Sequence, residues 1–202
     1  LPVFVVSVGA ITPGLFGKLA SHGDFVQRRL PPDFVAAWDA WLQQGIRDGR
    51  ARHGAAWPER YLDAPLWRFV LAPGVCGQAA MAGVLLPSVD RVGRHFPLTL
   101  AAPHDHAASG LLDLATVGMD WFDRLADLAV CAMWGDLSLM ELELALMRLG
   151  GPPGRALSGS TAFPELRECR AAFWTEGEPG VAPILVLFDA LPAASILGEM
   201  LV

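Results

Sequence analysis

The sequence has few cysteines and no long hydrophobic run, and each shortage excludes a class of protein. Its three cysteines, Cys76, Cys131 and Cys169, are widely spaced and form no C-x-x-C pair. They therefore predict neither a disulfide framework nor a thiolate zinc site, and they favour a reducing cytoplasm. No apolar run reaches the roughly 18 residues that a membrane-spanning helix needs. We expect a cytoplasmic protein that does not span a membrane.

Charged residues are also sparse, at 18% of the chain, and 14 of the 15 basic residues are arginine. The net charge is −6, but residues 1–100 carry 10 basic and 7 acidic side chains, whereas residues 101–202 carry 5 and 14. An acidic surface disfavours nucleic acid, whose phosphates bind clustered positive charge. It favours an oppositely charged protein partner. The arginine bias fits either genomic base composition or bidentate anion recognition.

Hydrophobic residues, by contrast, make up 53% of the 202 residues, which predicts one tightly folded domain over residues 1–202. The apolar runs LWRFVLAP, AAMAGVLLP and HFPLTLAAP predict an antiparallel meander. A strand, a turn and a second extended piece are expected from Thr12 to Val26, and CRAAFWT and APILVLF predict a final hairpin. With helices between the strands, the fold class is α/β: a single compact layered α-β-α sandwich around a mostly antiparallel or mixed central sheet.

The first helix is predicted to follow Pro31, with Asp33 as its N-cap. Its buried face is marked by apolar residues at helical spacing, namely Phe34, Trp38, Trp41 and Leu42. Most tryptophans lie at positions typical of a core. Trp57 and Trp134 lie near the ends of elements, so they are expected to be exposed on an interaction patch.

Two further helices are indicated in the second half. A long one is expected to begin at an N-cap on Ser109, because an apolar period of 3.6 residues continues to Ala132. Ser138 and Glu141 have the spacing of a capping box, which predicts the start of the next helix. A short helix is expected after Pro192.

The segment GLFGKLASHGDF, residues 14–25, looks at first like a phosphate-binding loop. That loop requires G-x-x-x-x-G-K-[ST], because its backbone amides surround the phosphates and its hydroxyl binds magnesium. Here Thr12 occupies the position of the first glycine and Leu19 follows the lysine. The motif fails at both ends.

The same segment brings Ser21, His22 and Asp24 together, yet it does not predict a catalytic triad. Triad members usually come from separate parts of a chain, and alternation would direct His22 and Asp24 to one side and Ser21 to the other. An Asp–His pair remains open. The other interpretation is a turn in which Gly23 adopts a positive φ and Asp24 accepts backbone hydrogen bonds.

A second polar cluster, PSVDRVGRHFP, spans residues 87–97 between two predicted strands. Its polar side chains surround Gly93 and are Ser88, Asp90, Arg91, Arg94 and His95. They predict either an anion site or a polar network with Asp24 in the core. The HDH at residues 104–106 has no third ligand at a readable spacing, so no metal is expected.

Several long motifs together resemble the type VI secretion-associated proteins called TagF or ImpM. They are GLFGKLASHGDFV, WDAWLQQG, APLWRFVLAPGVCG, AGVLLPSVDRVGRHFPLTL and FWTEG, in the order and rough spacing of that family. The resemblance covers Pro13 to Leu201 and leaves residues 1–11 as an extension outside the pattern. Ala20 and His22 depart from the proline and arginine of the usual motif, which makes any anion-binding role of residue 22 dependent on pH.

This resemblance implies a cytoplasmic, non-enzymatic accessory protein that represses type VI secretion after translation. It implies binding to the forkhead-associated scaffold protein of that system, and some members are fused to its PP2C-like phosphatase. It implies neither catalytic residues nor a cofactor. The motif positions expected to line a partner surface or a core network are Ser21, Gly23, Asp24, Ser88, Asp90, Arg91, Gly93 and Arg94.

Two alternatives remain open at this point. The chain could be a structural adaptor that assembles with the secretion apparatus. Less favoured is an enzyme that uses a polar cleft around Asp24, Asp90 and Arg94, because no nucleophile or metal set meets the spacing requirements.

Overall fold

The computed structural model describes residues 11–105, 111, 114–115, 118–153, 169–177 and 182–202. Seven strands lie in these ranges: β1 Gly14–Gly17, β2 Val26–Arg28, β3 Trp67–Leu71, β4 Met81–Leu86, β5 Leu98–Pro103, β6 Ala171–Trp174 and β7 Leu185–Phe188. The α-helices of the same ranges are α1 Pro32–His53, α2 Trp57–Leu62, α3 Met119–Trp134, α4 Leu139–Leu149 and α5 Ala194–Met200. A short 3₁₀ turn, Gly54–Ala56, joins α1 to α2.

The strands form one open antiparallel sheet in the order β2-β1-β5-β4-β3-β6-β7. The predicted meander is confirmed, since β3, β4 and β5 are neighbours in sequence order. The strand and the second extended piece expected from Thr12 to Val26 are β1 and the start of β2, which pair antiparallel, and the predicted pairing of the last two strands is confirmed as β6–β7. β3 and β4 are buried along their whole length, as expected for strands that are covered on both faces of a sheet.

Helices cover both faces, which confirms the predicted α-β-α sandwich. On one face α1, α2 and α5 enclose a core rich in aromatic rings, including Trp38, Phe69 and Phe173. On the other face α3 and α4 pack mainly aliphatic side chains onto the sheet, around Leu100 and Phe122. Neighbouring strand residues alternate between the two cores, as the period of two requires.

Helix α1 begins as its sequence predicts, except that Asp33 is not the N-cap. Pro31 and Pro32 start the helix, and Asp33 lies in its first turn. The Asp33 carboxylate instead accepts hydrogen bonds from the backbone amides of Gln78, at 2.7 Å, and Phe34, at 3.0 Å. These amide donors, that of Gln78 first, hold the pKa of Asp33 below its usual value. The carboxylate thus fixes the β3–β4 connection to the start of the helix.

The helical stretch predicted to run from Ser109 to Ala132 is not one continuous helix. Leu111, Leu114 and Ala115 are helical, but Gly118 forms a turn whose amide donates to the Leu114 carbonyl, and α3 begins at Met119. Ser109, the predicted N-cap, lies outside the described residues. In the described ranges, no helix is both long and apolar enough to cross a membrane.

The predicted capping box at the start of α4 is confirmed. The Ser138 side chain accepts a hydrogen bond from the Glu141 amide, and the Glu141 carboxylate accepts one from the Ser138 amide at 2.9 Å. The hydrogen bonds from Ser138 hold the pKa of Glu141 below its usual value. The predicted short helix near the C-terminus is confirmed as α5.

Replacing Ser138 by alanine is expected to reduce the free energy of unfolding by about 1 kcal/mol, because the first turn of α4 loses its side-chain acceptor. Urea denaturation monitored by circular dichroism measures the change. Ser138→Asp is the control, since a carboxylate is also a good N-cap acceptor and should restore most of the stability. Equal losses in the two variants would contradict the capping role.

Candidate functional site

The two motif segments meet at one end of the sheet. The first, residues 17–25, follows β1, and the second, residues 87–97, connects β4 to β5. Because β5 is antiparallel to both β1 and β4, the ends of those two strands lie at the same edge. The Arg91 amide donates to the His22 carbonyl at 3.0 Å, and the Ser88 hydroxyl donates to the Lys18 carbonyl at 2.9 Å.

Beneath this junction lies a buried ion pair between Lys18 and Asp90. The Lys18 ammonium is 2.7 Å from the Asp90 Oδ2 atom, and both side chains are almost fully buried. The ammonium also lies 5.3 Å from the centre of the Phe25 ring, within the range of a cation–π contact. A charge buried to this degree is tolerated only when it is paired.

The Asp90 carboxylate is saturated by four donors. Its Oδ2 accepts from Lys18 Nζ at 2.7 Å and from Arg94 Nε at 2.6 Å, while its Oδ1 accepts from the amides of Val92 at 3.1 Å and Arg94 at 2.9 Å. Burial alone would raise the pKa of Asp90, but the donors from Lys18 and Arg94 outweigh it and hold the pKa well below its usual value. Asp90 is therefore ionised at neutral pH.

Tyr61, the single tyrosine of the chain, extends the network inward. Its hydroxyl donates to the Ser88 carbonyl at 3.1 Å and accepts from the Ser88 amide at 3.0 Å. Burial strongly raises the pKa of Tyr61. His95 packs edge-on against the rings of Trp57 and Tyr61, and burial, with Arg50 and Lys18 nearby, lowers its pKa. These groups brace the turn without adding charge.

Above the buried pair, the same segments present to solvent Gly93 and five side chains, here called the motif surface: Asp24, Phe25, Arg91, Val92 and Arg94. Phe25 is 53% exposed and Val92 is 67% exposed, which is high for apolar side chains. Phe25 also contacts the Phe96 ring, with 4.7 Å between ring centres. The apolar part of the surface is thus fixed from below.

Arg94 connects the buried and exposed halves. Its Nε atom binds the buried Asp90, while its Nη2 atom donates to the Gly23 carbonyl and lies 3.8 Å from the exposed Asp24 carboxylate. Gly93 precedes it with φ of +83°, a left-handed conformation that favours glycine. The turn places the guanidinium at the rim of the network.

The eight predicted site residues therefore divide between the buried network and the surface. Ser88 and Asp90 are buried, Ser21 and Gly23 are half-buried, and the exposed ones are Asp24, Arg91, Gly93 and Arg94. The Ser21 hydroxyl oxygen is itself buried and has no hydrogen-bond partner among the described residues. The two motifs do come together, and their residues contribute to both the buried network and the exposed surface.

Two predictions about the first motif are wrong. Gly23 does not adopt a positive φ, whereas Gly17 does, at +129°, because the chain must turn where β1 passes the Pro97 carbonyl. Asp24 accepts no backbone hydrogen bond from the described residues, and its side chain is 89% exposed. The first turn is held by main-chain contacts, in which the His22 amide donates to the Leu19 carbonyl at 2.9 Å and the His22 carbonyl accepts from the Arg91 amide. The aspartate that accepts backbone amides is Asp90, and it does so in the turn of the second motif.

Arg94 contacts both aspartates of the polar cleft considered for an enzyme: its Nε atom lies 2.6 Å from the Asp90 carboxylate and its Nη2 atom 3.8 Å from the Asp24 carboxylate. The Asp24 carboxylate faces solvent, whereas the Asp90 carboxylate is buried. In the described part of the chain, no group of three or more His, Cys, Asp or Glu side chains could hold a metal ion. His106 of the HDH segment lies outside that part.

Four residues of the site were missed, namely Lys18, Phe25, Tyr61 and Val92. Lys18 was considered only as a phosphate ligand, although a single lysine in an arginine-rich chain is itself a signal. The exposure of Phe25 and Val92 has no signature in the sequence, because aromatic and aliphatic residues in such segments are usually buried.

The predicted exposure of the two tryptophans is confirmed for one. Trp134 is exposed at the end of α3, whereas Trp57 is buried, because it packs on Tyr61 and under the Arg50 guanidinium. A separate cleft of about 280 Å³ lies beside α3 around the buried Arg68, which binds Asp123 at 2.9 Å and Glu176 at 2.6 Å. This arginine is paired with two of the carboxylates that line the cleft, while its buried Nε atom has no hydrogen-bond partner among the described residues.

Two comparisons with known proteins found a match. The family model described as the TagF N-terminal domain, type VI secretion system-associated, matches residues 14–149, which include both motifs. The crystal structure of PA0076 from Pseudomonas aeruginosa PAO1 is similar, with 35% identity and a TM-score of 0.80 over 94% of each chain. None of the curated proteins compared matches the sequence. The chain therefore belongs to the TagF family of type VI secretion system-associated proteins.

Proposed function

We propose that this chain is a cytoplasmic, non-enzymatic repressor of type VI secretion that binds the forkhead-associated scaffold protein of the apparatus through the motif surface. The observation that carries the proposal is the exposure of two apolar side chains: Val92, between Arg91 and Arg94 on a turn held by a buried ion pair, and Phe25, on the first motif segment. Exposed apolar side chains among charged ones are typical of protein interaction sites.

The rigidity of the turn supports a binding role. Asp90 fixes the amides of Val92 and Arg94, and Arg94 fixes the Gly23 carbonyl, so little conformational entropy is lost when a partner docks. The Asp90 carboxylate accepts four hydrogen bonds, from Lys18, Val92 and Arg94, and these contacts fit a structural role. In this proposal the network positions a surface and takes no part in a reaction.

Val92→Glu is expected to weaken scaffold binding about tenfold, because it places a charge at the most exposed apolar position of the surface. Isothermal titration with the purified scaffold measures the affinity. The substitution leaves the Val92 amide and its hydrogen bond intact. Leu62→Glu is the matched control, since Leu62 is also exposed but lies on α2, and it should bind as the unmodified chain does.

Two results would contradict the proposal. The first is no detectable complex between the unmodified chain and the scaffold, and the second is an equal loss of affinity in the two variants.

Deletion of the gene separates repression from the adaptor role, because loss of a repressor increases secretion and loss of an adaptor abolishes it. A parallel titration with the PP2C-like phosphatase tests whether that protein is a second partner.

A further inference from the structure

The motif surface differs in charge from the rest of the chain. We infer that it binds an acidic segment of its partner, with carboxylates paired to Arg91 and Arg94 and an apolar side chain on Phe25 and Val92. This inference rests on the proposed function and adds the chemistry of the partner. The five residues carry two positive charges and one negative, a net charge of +1, whereas the chain as a whole carries −6.

The two guanidinium groups converge on Gly23. Arg94 Nη2 donates to the Gly23 carbonyl, and Arg91 Nη2 lies 3.6 Å from the position that a Cβ atom on Gly23 would occupy. Arg91 is anchored through its amide, which donates to the His22 carbonyl. Neighbouring guanidinium groups recognise oxyanions through charge-assisted hydrogen bonds.

Two exposed apolar side chains lie in the same segments as these guanidinium groups. Phe25 follows Asp24 directly, and Val92 lies between the two arginines in the turn. The Phe25 ring is held from below by the Lys18 ammonium and by Phe96, so its exposed part is presented in one orientation. A ligand that fits both parts has carboxylates close to an aliphatic or aromatic side chain, as an acidic peptide segment does.

The position of Asp24 argues against a phosphoryl group and against nucleic acid. Its carboxylate lies 3.8 Å from Arg94 Nη2, so a dianion at Arg94 would meet a negative charge at its side. Nucleic acid needs a larger positive surface than two arginines on an acidic chain. A single carboxylate at each arginine carries half the charge of a dianion, so it meets a weaker repulsion from Asp24, and it needs no larger positive surface.

The test measures the affinity of the purified chain for the scaffold as charge is changed. Arg91→Glu is expected to weaken binding about tenfold, because like charges would then face each other. Arg60→Glu, an equal change at an exposed site on α2, is the control and should have no effect. Raising the ionic strength from about 0.1 to about 1 M shortens the Debye length from about 10 to about 3 Å. This screening should weaken the binding of the unmodified chain to the scaffold.

Two competitors identify the ligand chemistry. A hexaglutamate peptide with one central leucine should displace the scaffold and bind the chain directly, and Arg91→Glu should abolish that binding. Inorganic phosphate should not compete. Two results would overturn the inference and leave the proposed function intact. One is displacement of the scaffold by phosphate but not by the peptide. The other is an affinity for the scaffold that changes neither with Arg91→Glu nor with ionic strength. If no scaffold complex forms, the proposed function fails, and direct titration of the peptide still decides whether the surface binds an acidic segment.

Discussion

Asp90→Asn lowers the melting temperature by about 10 °C, by our expectation, and this is the largest effect of any polar substitution at the site. The amide cannot neutralise the Lys18 ammonium, which is buried and has no other carboxylate within reach among the described residues. It also weakens the bond to Arg94 Nε and the acceptor of two backbone amides. Differential scanning calorimetry measures the change.

Asp24→Asn is the matched control, because it makes the same chemical change at the exposed aspartate of the first motif. Its melting temperature should stay within about 2 °C of that of the unmodified chain. Lys18→Met should fall between the two, since Asp90 keeps three of its four donors. Equal melting temperatures for the Asn variants at positions 24 and 90 would mean that the buried pair does not hold the fold.

The depressed pKa of Asp90 fixes the direction of the pH dependence. Because the pKa in the folded chain lies below the ordinary 3.8, ionised Asp90 stabilises the fold fully above that value. This contribution declines as the pH falls below 3.8, where the unfolded chain takes up the proton first. The difference in melting temperature between the unmodified chain and Asp90→Asn should therefore shrink between pH 5 and pH 3. A constant difference would contradict the assignment.

Much of the fold could be predicted because local signals and tertiary packing agree. The β3–β4–β5 meander, the face of α1 and the capping box of α4 each combine a clear period with clear boundary residues. The errors occurred where a distant contact decided the outcome. Asp33 caps the β3–β4 connection because Gln78 folds against it, which is not visible in the helix sequence itself.

The site was predictable only in part, because its two halves are far apart in sequence. Position within a motif could not show which aspartate is buried, since Asp24 and Asp90 both lie beside glycine-containing turns. In the structure the buried aspartate is Asp90, which pairs with Lys18, a residue 72 positions away in the sequence. The burial of Asp90 therefore depends on a contact between the two motifs, and neither motif shows that contact by itself.

Gly17→Ala tests whether that pairing depends on one backbone contact. At φ of +129° a side chain is strained, and a Cβ atom would lie 2.0 Å from the Pro97 carbonyl oxygen. Neither backbone can yield easily, because Gly17 pairs with Val26 and Pro97 leads into β5. Together strain and overlap should cost about 4 kcal/mol, or roughly 12 °C in melting temperature.

Gly93→Ala separates the two causes. Gly93 also has a positive φ, at +83°, but an added Cβ would meet no atom within 4 Å. Strain alone should therefore cost about 1 to 2 kcal/mol. If denaturation shows equal losses at positions 17 and 93, the close approach at Pro97 is not decisive. If Gly17→Ala loses far more, the two motifs are held in register by the contact between β1 and the start of β5, and the arginines of the motif surface keep their spacing because that contact admits no side chain.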